Sequence, residues 1–405
     1  MILALTANGP GEFSGWVRPL LHALYARDPA LDVRLFFVPD DYATGREAEV
    51  ARALFPQAHV YAPREYLRFA LGGSLAGLPP RVDCVQYLGG DLMHAMRVQK
   101  RLGGRATSYK FSRKSYRDRF AHVFAVDAAN RAQLLGWSTP FERISVVGNL
   151  AIDGALGEAA GDYGDPPSEV ARDGIVLLPG SRKNEVANLY AMFVAVARQL
   201  RKRLPDVPIA FGRSPFTTDA ELASGLRGGD PRAYGVPATL EDGGTTIASG
   251  ADRFALVHAT MRTAATARLA ISIPGTKLIE LAALGVPAIV CVPLNAPELA
   301  VINGPLQYVG RLPRIGAPLK RAAALAVVKR FRSFAQPNID AEREIMPELI
   351  GTLFPARIAA VAAERYADAA WCTRAGAELR ALYAGHAGAA QRMSAALLEA
   401  SIESS

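Results

Sequence analysis

Residues 174–186, GIVLLPGSRKNEV, contain the pattern that decides the fold. The apolar residues 175–178 end at Pro179-Gly180, and a polar stretch, SRKNE, follows directly. A helical pattern, NLYAMFVAVARQLRKRL, then occupies 188–204. A short run that is apolar throughout is typical of a strand buried on both faces, as in a parallel sheet. The stretch therefore predicts a buried strand, a glycine turn that carries a hydroxyl and an arginine, and a helix.

The same unit recurs along most of the chain. Further apolar runs, separated by helical stretches, are MILALTA, VRLFFVP, AHVFAVD, LAISIPG and PAIVCVP. Apolar strands that alternate with helices indicate parallel sheets covered by helices on both faces. The chain has 405 residues, which is long for a single hydrophobic core. The sequence therefore predicts an α/β protein with two doubly wound, Rossmann-like domains that face each other across a cleft.

Composition suggests where the two domains meet. Residues 163–174, YGDPPSEVARDG, are rich in proline, glycine and charge, as linkers commonly are. We expect a first domain over 1–165 and a second over 174–355. The C-terminal part, 356–405, is alanine-rich and helical, and we expect it to pack back on the first domain.

The overall composition narrows the class of protein. Half of the residues are hydrophobic and 21% are charged, which is typical of a globular protein. Three cysteines without a Cys-x-x-Cys pair predict neither a disulfide framework nor a zinc site. The N-terminus has no basic lead, and its apolar part is too short for a signal peptide or a membrane span. We therefore expect a cytoplasmic protein.

The net charge of +8 is compatible with nucleic acid, an anionic membrane or a phosphorylated substrate as partner. The densest basic segment, 107–120, mixes aromatic and basic residues. It carries no recognisable nucleic-acid-binding signature, so nucleic acid is the least favoured partner. The segment is either a solvated surface or a surface for a membrane or phosphate.

Three strand–helix junctions combine glycine with polar residues: 6–16 (TANGPGEFSGW), 178–185 (LPGSRKNE) and 272–290 (SIPGTKLIELAALGVPAIV). Ligands of doubly wound sheets bind where strands end and helices begin, and the N-terminus of a helix favours phosphate. None of the junctions has the GxGxxG or GxxxxGK[ST] spacing. Two such junctions in the second half and one in the first favour a nucleotide-sugar transferase, with the donor in the second domain and the acceptor in the first.

LLPGSRKNEV resembles the donor-site segment of the lipid-A-disaccharide synthase family, glycosyltransferase family 19. Other segments resemble that family in the same order: GPGEFSGW (9–16), YLGGDLMHAMRVQKRLG (87–103), VVGNLAID (146–153), PGTKLIELAALGVPAIV (274–290) and PNIDAEREIMPELI (337–350). The resemblance implies the GT-B fold, inversion at the anomeric carbon, and neither a metal nor a cofactor. The implied reaction moves a sugar of the N-acetylglucosamine type, which can be acylated, from UDP to a lipid acceptor.

The chain also departs from the family pattern. Trp16 replaces an Asp and Asn149-Leu150 replaces His-Pro on the acceptor side, while 274–280, PGTKLIE, replaces Ser-Gly-Thr-Ala-Thr-Leu-Glu at the donor phosphates. The stretch 299–331 has no recognisable counterpart. These changes concern the acceptor more than the chemistry. Three alternatives therefore stay open. One is a UDP-sugar transferase with another glycolipid acceptor, such as a muramyl-lipid N-acetylglucosaminyltransferase. The others are a UDP-sugar 2-epimerase-like enzyme and a non-catalytic nucleotide-binding protein at a membrane surface.

The donor site is expected at the junctions of the second domain. Arg182 can bind phosphate oxygens bidentately, and Glu280, one turn after Thr276, can accept both ribose hydroxyls. The resemblance adds Asn338, Arg343 and Glu348, although the last two could instead form a structural pair. The predicted donor-binding residues are Gly180, Ser181, Arg182, Gly275, Thr276, Lys277, Glu280, Asn338, Arg343 and Glu348.

The acceptor hydroxyl needs a general base. Asp91 follows an apolar strand and two glycines, so it is either a helix N-cap or, as the resemblance implies, the catalytic base. His94 lies one turn further on and could assist the base or simply pack. The predicted acceptor-side residues are Gly11, Glu12, Ser14, Gly15 and Asn149.

A lipid acceptor requires a membrane-facing surface. Residues 65–80, EYLRFALGGSLAGLPP, are apolar, broken by glycine and bordered by arginines. They form either a core helix with a loop or a segment that dips into the bilayer interface, with the basic residues of 105–119 at the anionic head groups. The second reading predicts peripheral association with the inner face of the cytoplasmic membrane. The sequence leaves open whether the chain forms a homodimer.

Overall fold

The computed structural model describes residues 1–40, 43–110, 117–164, 170–258, 260–297 and 330–402, together with 326 and 328. The chain divides into two compact units, one formed by Met1–Gly157 with Tyr383–Ser405 and the other by Glu158–Leu382. Most of the segment 299–331 and residues 111–116 lie outside the described residues.

The first unit contains a parallel sheet. Its strands are β1 (Ile2–Ala7), β2 (Asp32–Phe37), β3 (His59–Tyr61), β4 (Cys84–Tyr87), β5 (Arg105–Tyr109), β6 (His122–Ala125) and β7 (Ile144–Val146). They lie in the order β3-β2-β1-β4-β5-β6-β7, with every pairing parallel. From β1 the strands β2 and β3 are added toward one edge of the sheet, whereas β4 to β7 are added toward the other. The neighbours β1 and β4 therefore flank the topological switch point, where such sheets bind ligands.

Helices surround this sheet. They are α1 (Pro10–Glu12), α2 (Arg18–Arg27), α3 (Glu47–Leu54), α4 (Pro63–Ala70), α5 (Leu92–Leu102), α6 (Ala128–Gly136) and α7 (Leu150–Ala160). A π-helical turn, Phe13–Val17, joins α1 to α2. Single 3-10 turns lie at Arg117–Arg119 and Phe141–Arg143.

The second unit contains a mixed sheet in the order β10-β11-β12-β9-β8-β13-β14-β15. Its strands are β8 (Ile175–Leu178), β9 (Ile209–Gly212), β10 (Thr239–Glu241), β11 (Thr246–Ser249), β12 (Asp252–Val257), β13 (Leu269–Ser272), β14 (Ala288–Pro293) and β15 (Glu348–Gly351). Only the edge pairings β10–β11 and β11–β12 are antiparallel among the pairings of the described residues. The switch point of this sheet lies between β8 and β13, which pair directly.

The helices of the second unit are α8 (Lys183–Arg203), α9 (Asp219–Leu226), α10 (Thr260–Ala264), α11 (Lys277–Leu284), α12 (Gln336–Asp340), α13 (Pro355–Ala367) and α14 (Ala369–Tyr383). Single 3-10 turns lie at Pro231–Ala233 and Asp242–Gly244. The strands β8 and β13 are buried along their whole length, and α8 adds Tyr190, Phe193 and Leu200 to the same core. Burial on both faces explains why these strands are apolar throughout.

The last helix, α15 (Ala389–Ile402), belongs to the first unit and packs against α2. The Asp153 side chain of α7 accepts hydrogen bonds from the backbone N–H groups of Gly388 (2.7 Å) and Ala390 (2.6 Å), which fixes the start of α15. α13 packs instead on α8 of the second unit. The C-terminal helices are therefore shared between the units, whereas the sequence analysis assigned all of 356–405 to the first.

None of the helices in the part of the chain that the structure describes is both long enough and apolar enough to cross a membrane.

Candidate functional site

The junction between β8 and α8 is shaped by a glycine and a carboxylate. Gly180 has a φ of +112°, and a Cβ at this position would lie only 2.5 Å from the Glu185 carboxylate. The backbone N–H groups of Ser181 and Arg182 each donate a hydrogen bond of 3.0 Å to Glu185 Oε2. Arg182 Nη1 lies 3.4 Å from the other oxygen, Oε1. A side chain of the protein thus occupies the position at which helix N–H groups bind anions.

This arrangement corrects one part of the predicted donor site. We expected the backbone N–H groups beside Ser181 to bind phosphate, but two of them already donate to Glu185. The Arg182 side chain is 46% exposed, and its Nη1 makes a long contact of 3.4 Å with Glu185. Among the predicted phosphate ligands at this junction, the exposed guanidinium is therefore the group that is best placed to meet a ligand.

The neighbouring junction, between β13 and α11, is more open. Gly275 and Thr276 are both exposed, and a Cβ on Gly275 would meet no atom within 4 Å. The first N–H groups of a helix have no acceptor within the helix itself, so the start of α11 is suited to an anion. Because β8 pairs with β13, this start and Arg182 follow adjacent strands at the same edge of the sheet.

Lys277 and Glu280 contact each other at the start of α11. Lys277 Nζ lies 2.6 Å from Glu280 Oε2, and Glu280 is buried. The sequence analysis treated the two as separate ligands for phosphate and ribose. The ion pair holds the carboxylate in one orientation and balances its charge, which suits a group that accepts hydrogen bonds close to a diphosphate.

Asn338 has a structural role. Its Nδ2 donates to the backbone oxygen of Met346 (2.7 Å) and to Glu348 Oε1 (2.9 Å), while its Oδ1 accepts from the N–H groups of Ile345 and Met346 (2.9 Å each). These four bonds use the whole hydrogen-bonding capacity of a buried amide. The predicted contact between Asn338 and the donor is therefore not supported.

Glu348 and Arg343 do not pair with each other. Glu348 accepts hydrogen bonds from the N–H groups of Phe334 (2.8 Å) and Ala335 (3.0 Å), which fixes the chain before α12. Arg343 forms its ion pair with Glu378 of α14. Both residues thus join local elements of the second unit, and the alternative of an Arg343–Glu348 pair is wrong.

In the first unit, Asp91 is the N-cap of α5. One carboxylate oxygen accepts a hydrogen bond from the backbone N–H of Met93 (2.9 Å). Gly90 has a φ of +86°, and its carbonyl accepts a hydrogen bond from the Tyr87 hydroxyl (2.8 Å). These contacts leave Asp91 exposed at the carboxyl end of β4. The cap is confirmed, and the role of base stays a prediction that the position permits.

The expected glycine-rich loop after β1 is helical. Pro10 occupies the first position of α1, where proline is favoured, and the π-helical turn follows without a break. Gly11, Glu12 and Ser14 are partly exposed, whereas Gly15 is buried against Ala151. Gly15 therefore serves the packing of two helices. π-helical turns occur often at functional sites.

Asn149 and His94 are also engaged in local structure. Asn149 is buried, and its Oδ1 accepts a hydrogen bond from the N–H of Ala151 (3.1 Å) at the start of α7. His94 Nδ1 lies 2.7 Å from the Tyr66 hydroxyl. Burial lowers the pKa of His94 and raises the pKa of Tyr66 to about 12. Both rings are therefore neutral near pH 7, and of the two roles considered for His94 the structure shows packing.

Two polar residues near Asp91 were missed by the sequence analysis. Asn8 follows β1 directly and donates from Nδ2 to the Asp40 carboxylate, which lies three residues after β2. A Cβ on Gly9 would lie 3.1 Å from Glu12 Oε2 and 3.9 Å from Asp40 Oδ2. The signal available in the sequence was their position just beyond two apolar runs.

No group of three or more His, Cys, Asp or Glu side chains in the described ranges is arranged to hold a metal ion.

Comparison with known proteins supports the fold and a partial sequence likeness. No protein-family model matches the chain. A lipid-A-disaccharide synthase of Geobacter sulfurreducens is 28% identical over 246 residues, which are 60% of this chain and 52% of that protein. The chain thus matches about half the length of this curated relative.

Solved structures resemble nearly the whole chain. A candidate UDP-N-acetylglucosamine 2-epimerase of Listeria monocytogenes has a TM-score of 0.53 at 12% identity, covering 98% of this chain and 95% of that one. The glycotransferase of kitacinnamycin has a TM-score of 0.51 at 14% identity, covering 99% and 98%. At these identities the likeness shows the fold alone. The predicted class, two Rossmann-like domains of the GT-B type with surrounding helices, is confirmed.

Proposed function

We propose that the protein is an inverting glycosyltransferase that moves a sugar from UDP to a lipid acceptor without a metal ion. The observation that carries the proposal is the switch point of the second unit. There, the exposed Arg182 and the open start of α11 follow the paired strands β8 and β13. A guanidinium beside a helix N-terminus is suited to a diphosphate.

In the proposed reaction, the leaving group is the diphosphate of UDP. Negative charge develops on it as the bond to the anomeric carbon breaks, and fixed positive groups lower the energy of that step. Arg182 and the N–H groups at Gly275, Thr276 and Lys277 supply this stabilisation. Glu280, oriented by Lys277, accepts the ribose hydroxyls.

Asp91 is the proposed general base. It removes the proton of the acceptor hydroxyl as the oxygen attacks the anomeric carbon on the face opposite to UDP, which inverts the configuration. Its exposed position at the carboxyl end of β4 is compatible with this role. The similar sequence of a lipid-A-disaccharide synthase supports an N-acetylglucosamine-type sugar and a glycolipid acceptor.

A UDP-sugar 2-epimerase-like activity is the second candidate, favoured by the structural likeness to a candidate epimerase over 98% of the chain. The two activities differ in their need for an acceptor. Purified protein incubated with UDP-N-acetylglucosamine alone should leave the sugar unchanged if it is a transferase, whereas an epimerase would invert C2. Transfer should appear when UDP-diacylglucosamine, UDP-N-acetylglucosamine, UDP-glucose or UDP-galactose is combined with lipid extract.

UDP binding is expected to persist in the presence of a chelator. The proposed charges that meet the diphosphate come from Arg182 and a helix N-terminus, and the described residues hold no cluster of metal ligands. Titration calorimetry with UDP, with and without EDTA, checks this expectation. Equal affinities support the proposal, and affinity that disappears with EDTA contradicts it.

The membrane contact is proposed for the outer face of α4 and the residue that follows it. Leu67 is 45% exposed and Leu71 is 84% exposed, with the exposed Arg64 and Arg68 beside them. Phe69 differs, because it is 1% exposed and packs in the core against Phe36. Of the two alternatives considered from the sequence, α4 is therefore the core helix, and the exposed leucines among arginines support the membrane contact, which stays a prediction.

Replacing Leu67 and Leu71 together with Ser is expected to reduce binding to anionic vesicles severalfold, since exposed apolar side chains and nearby arginines both favour the interface. Vesicle flotation at low salt measures the effect, and UDP affinity should not change. Leu54→Ser with Leu135→Ser is the matched control, because these leucines are also exposed in the first unit. Equal flotation of the test variant and the wild type contradicts the proposed contact.

A further inference from the structure

The connection between β4 and α5 carries Asp91 at its end. It consists of Leu88, Gly89 and Gly90. Two successive glycines give this backbone wide conformational freedom, because neither has a Cβ. The position of the Asp91 carboxylate therefore depends on contacts that hold the connection from outside.

The first half of the connection is held by the sheet. The backbone N–H groups of Leu88 and Gly89 donate hydrogen bonds of 3.0 and 3.1 Å to the carbonyl oxygen of Thr6 in β1. These bonds fix the path of the chain as it leaves β4. They do not involve the peptide that joins Gly90 to Asp91, which is held by a different group.

The Tyr87 hydroxyl holds that peptide. It donates a hydrogen bond of 2.8 Å to the carbonyl oxygen of Gly90, which lies in the peptide plane that ends at the Cα of Asp91. Because a peptide unit is planar, holding this oxygen restricts where the Asp91 side chain leaves the backbone. The Tyr87 ring packs against an apolar cluster that includes Leu92 and Met96 of α5, so the hydroxyl is itself held in place.

The cap of α5 has a different task. The bond between Asp91 Oδ1 and the Met93 N–H orients the carboxylate relative to the helix, whereas the Tyr87 bond ties the preceding peptide to the last residue of β4. A general base must come within hydrogen-bond reach of the hydroxyl that it deprotonates, and a misplacement of about 1 Å can cost about 100-fold in rate. Loss of the Tyr87 bond should therefore affect the rate more than the stability.

We propose that Tyr87 is a positioning residue for the proposed base, and that its hydroxyl acts on the reaction through Gly90 and Asp91. The proposal rests on the proposed function and deepens it, because it adds to the base the residue that determines where the base lies. Tyr87 itself need not touch the acceptor. The proposal therefore predicts an effect on turnover that depends on the presence of Asp91.

Tyr87→Phe is the test variant, since it keeps the ring and removes the hydroxyl. Its kcat for sugar transfer is expected to fall about tenfold, less than for a base displaced by a full ångström. The KM for the UDP-sugar should not change, because the proposed donor-binding residues all belong to the second unit. Steady-state kinetics with the full chain measure both quantities, and wild-type kcat in this variant overturns the proposal.

Tyr366→Phe is the matched control. The Tyr366 hydroxyl also donates to a backbone carbonyl, that of Asp173 at 2.6 Å. Asp173 precedes β8, so this bond lies at the end of the second sheet opposite to its proposed ligand edge. The control removes the same kind of hydrogen bond and should leave kcat unchanged.

A double-mutant cycle shows whether the effect passes through the base. In an Asp91→Asn background, Tyr87→Phe should cause no further loss of the residual turnover, because the base that it positions is already gone. Residues that act through one another give such non-additive effects, whereas independent structural roles add. A further tenfold loss in the Asp91→Asn background overturns the proposal.

Hydrogen–deuterium exchange gives a readout that needs no turnover. The peptide that contains 88–94 should exchange faster in Tyr87→Phe than in the wild type, since local opening becomes easier when a restraint is removed. Unchanged exchange of this peptide overturns the proposal whether or not the wild type transfers sugar. Absence of transfer by the wild type, in contrast, is a failure of the proposed function, and the two failures are therefore seen separately.

Discussion

Replacing Asp91 with Asn is expected to reduce sugar transfer at least about 100-fold, the lower end of what a general base contributes. The UDP affinity and the melting temperature should stay near the wild-type values. Asparagine caps a helix about as well as aspartate, so the hydrogen bond to the Met93 N–H can be kept. An amide cannot take up the proton of a hydroxyl group at neutral pH. The substitution therefore separates the two roles that one carboxylate has in the proposed enzyme.

Asp127→Asn is the matched control for this experiment. Asp127 is the N-cap of α6, which follows β6 of the same sheet. It accepts a hydrogen bond of 2.6 Å from the Asn130 N–H. The control should change neither turnover nor stability. Asp91→Ala removes the cap as well as the base, which should cost about 1 kcal/mol of folding free energy. If Asp91→Asn retains full turnover while Asp91→Ala only melts earlier, Asp91 is a cap and nothing more.

The strands were predictable because they are buried on both faces. The runs that form β1, β2, β8 and β13 are buried over nearly their whole length, so hydrophobicity alone marks them. The strands β10 and β11 were missed. They are short, contain Thr, Glu and Ser, and form an antiparallel hairpin at the edge of the sheet, where a strand needs no continuous apolar run.

The sequence predicted where the glycine junctions lie. It predicted only some of the hydrogen bonds that side chains make at and near them. Glu185 lies three residues after Arg182, the spacing of a capping box, so its bond to the backbone could have been inferred from the sequence. The bonds of Asn338 could not, because they join residues across a turn that only the fold brings together. The same holds for Asn8 and Asp40, which meet because β1 and β2 are adjacent.

The prediction of a loop from its glycines was wrong after β1. The stretch from Gly9 to Gly15 contains three of them and was interpreted as a loop, yet it forms α1 and a π-helical turn. Pro10 at the first helical position favours a helix there. Gly15 lies against Ala151 of α7, so it is required for close packing and not for conformational freedom.

Arg182→Ala is expected to weaken UDP binding by about 1.5 to 3 kcal/mol, or about 10- to 150-fold, the range for a hydrogen bond to a charged group. The structure explains why this one side chain should matter so much. Two N–H groups at the same junction already donate to Glu185, which leaves the guanidinium as the principal donor for the diphosphate there. Removing it should affect stability little, because the side chain is 46% exposed and ion pairs of exposed groups contribute little.

Three comparisons show whether the loss concerns phosphate. Uridine lacks the diphosphate, so its affinity should be the same for the wild type and Arg182→Ala. Arg198→Ala is the matched arginine control, because Arg198 lies on the same helix and pairs with Asp252 at 3.0 Å, and it should bind UDP normally. Glu185→Gln keeps an oxygen for the backbone N–H groups but removes a negative charge beside the diphosphate, so it should bind UDP more tightly than the wild type. Calorimetry with UDP and uridine measures all of these affinities. If Arg182→Ala weakens uridine and UDP equally, the arginine acts on the fold of the site and not on the phosphates, and the proposed donor site at this junction is wrong.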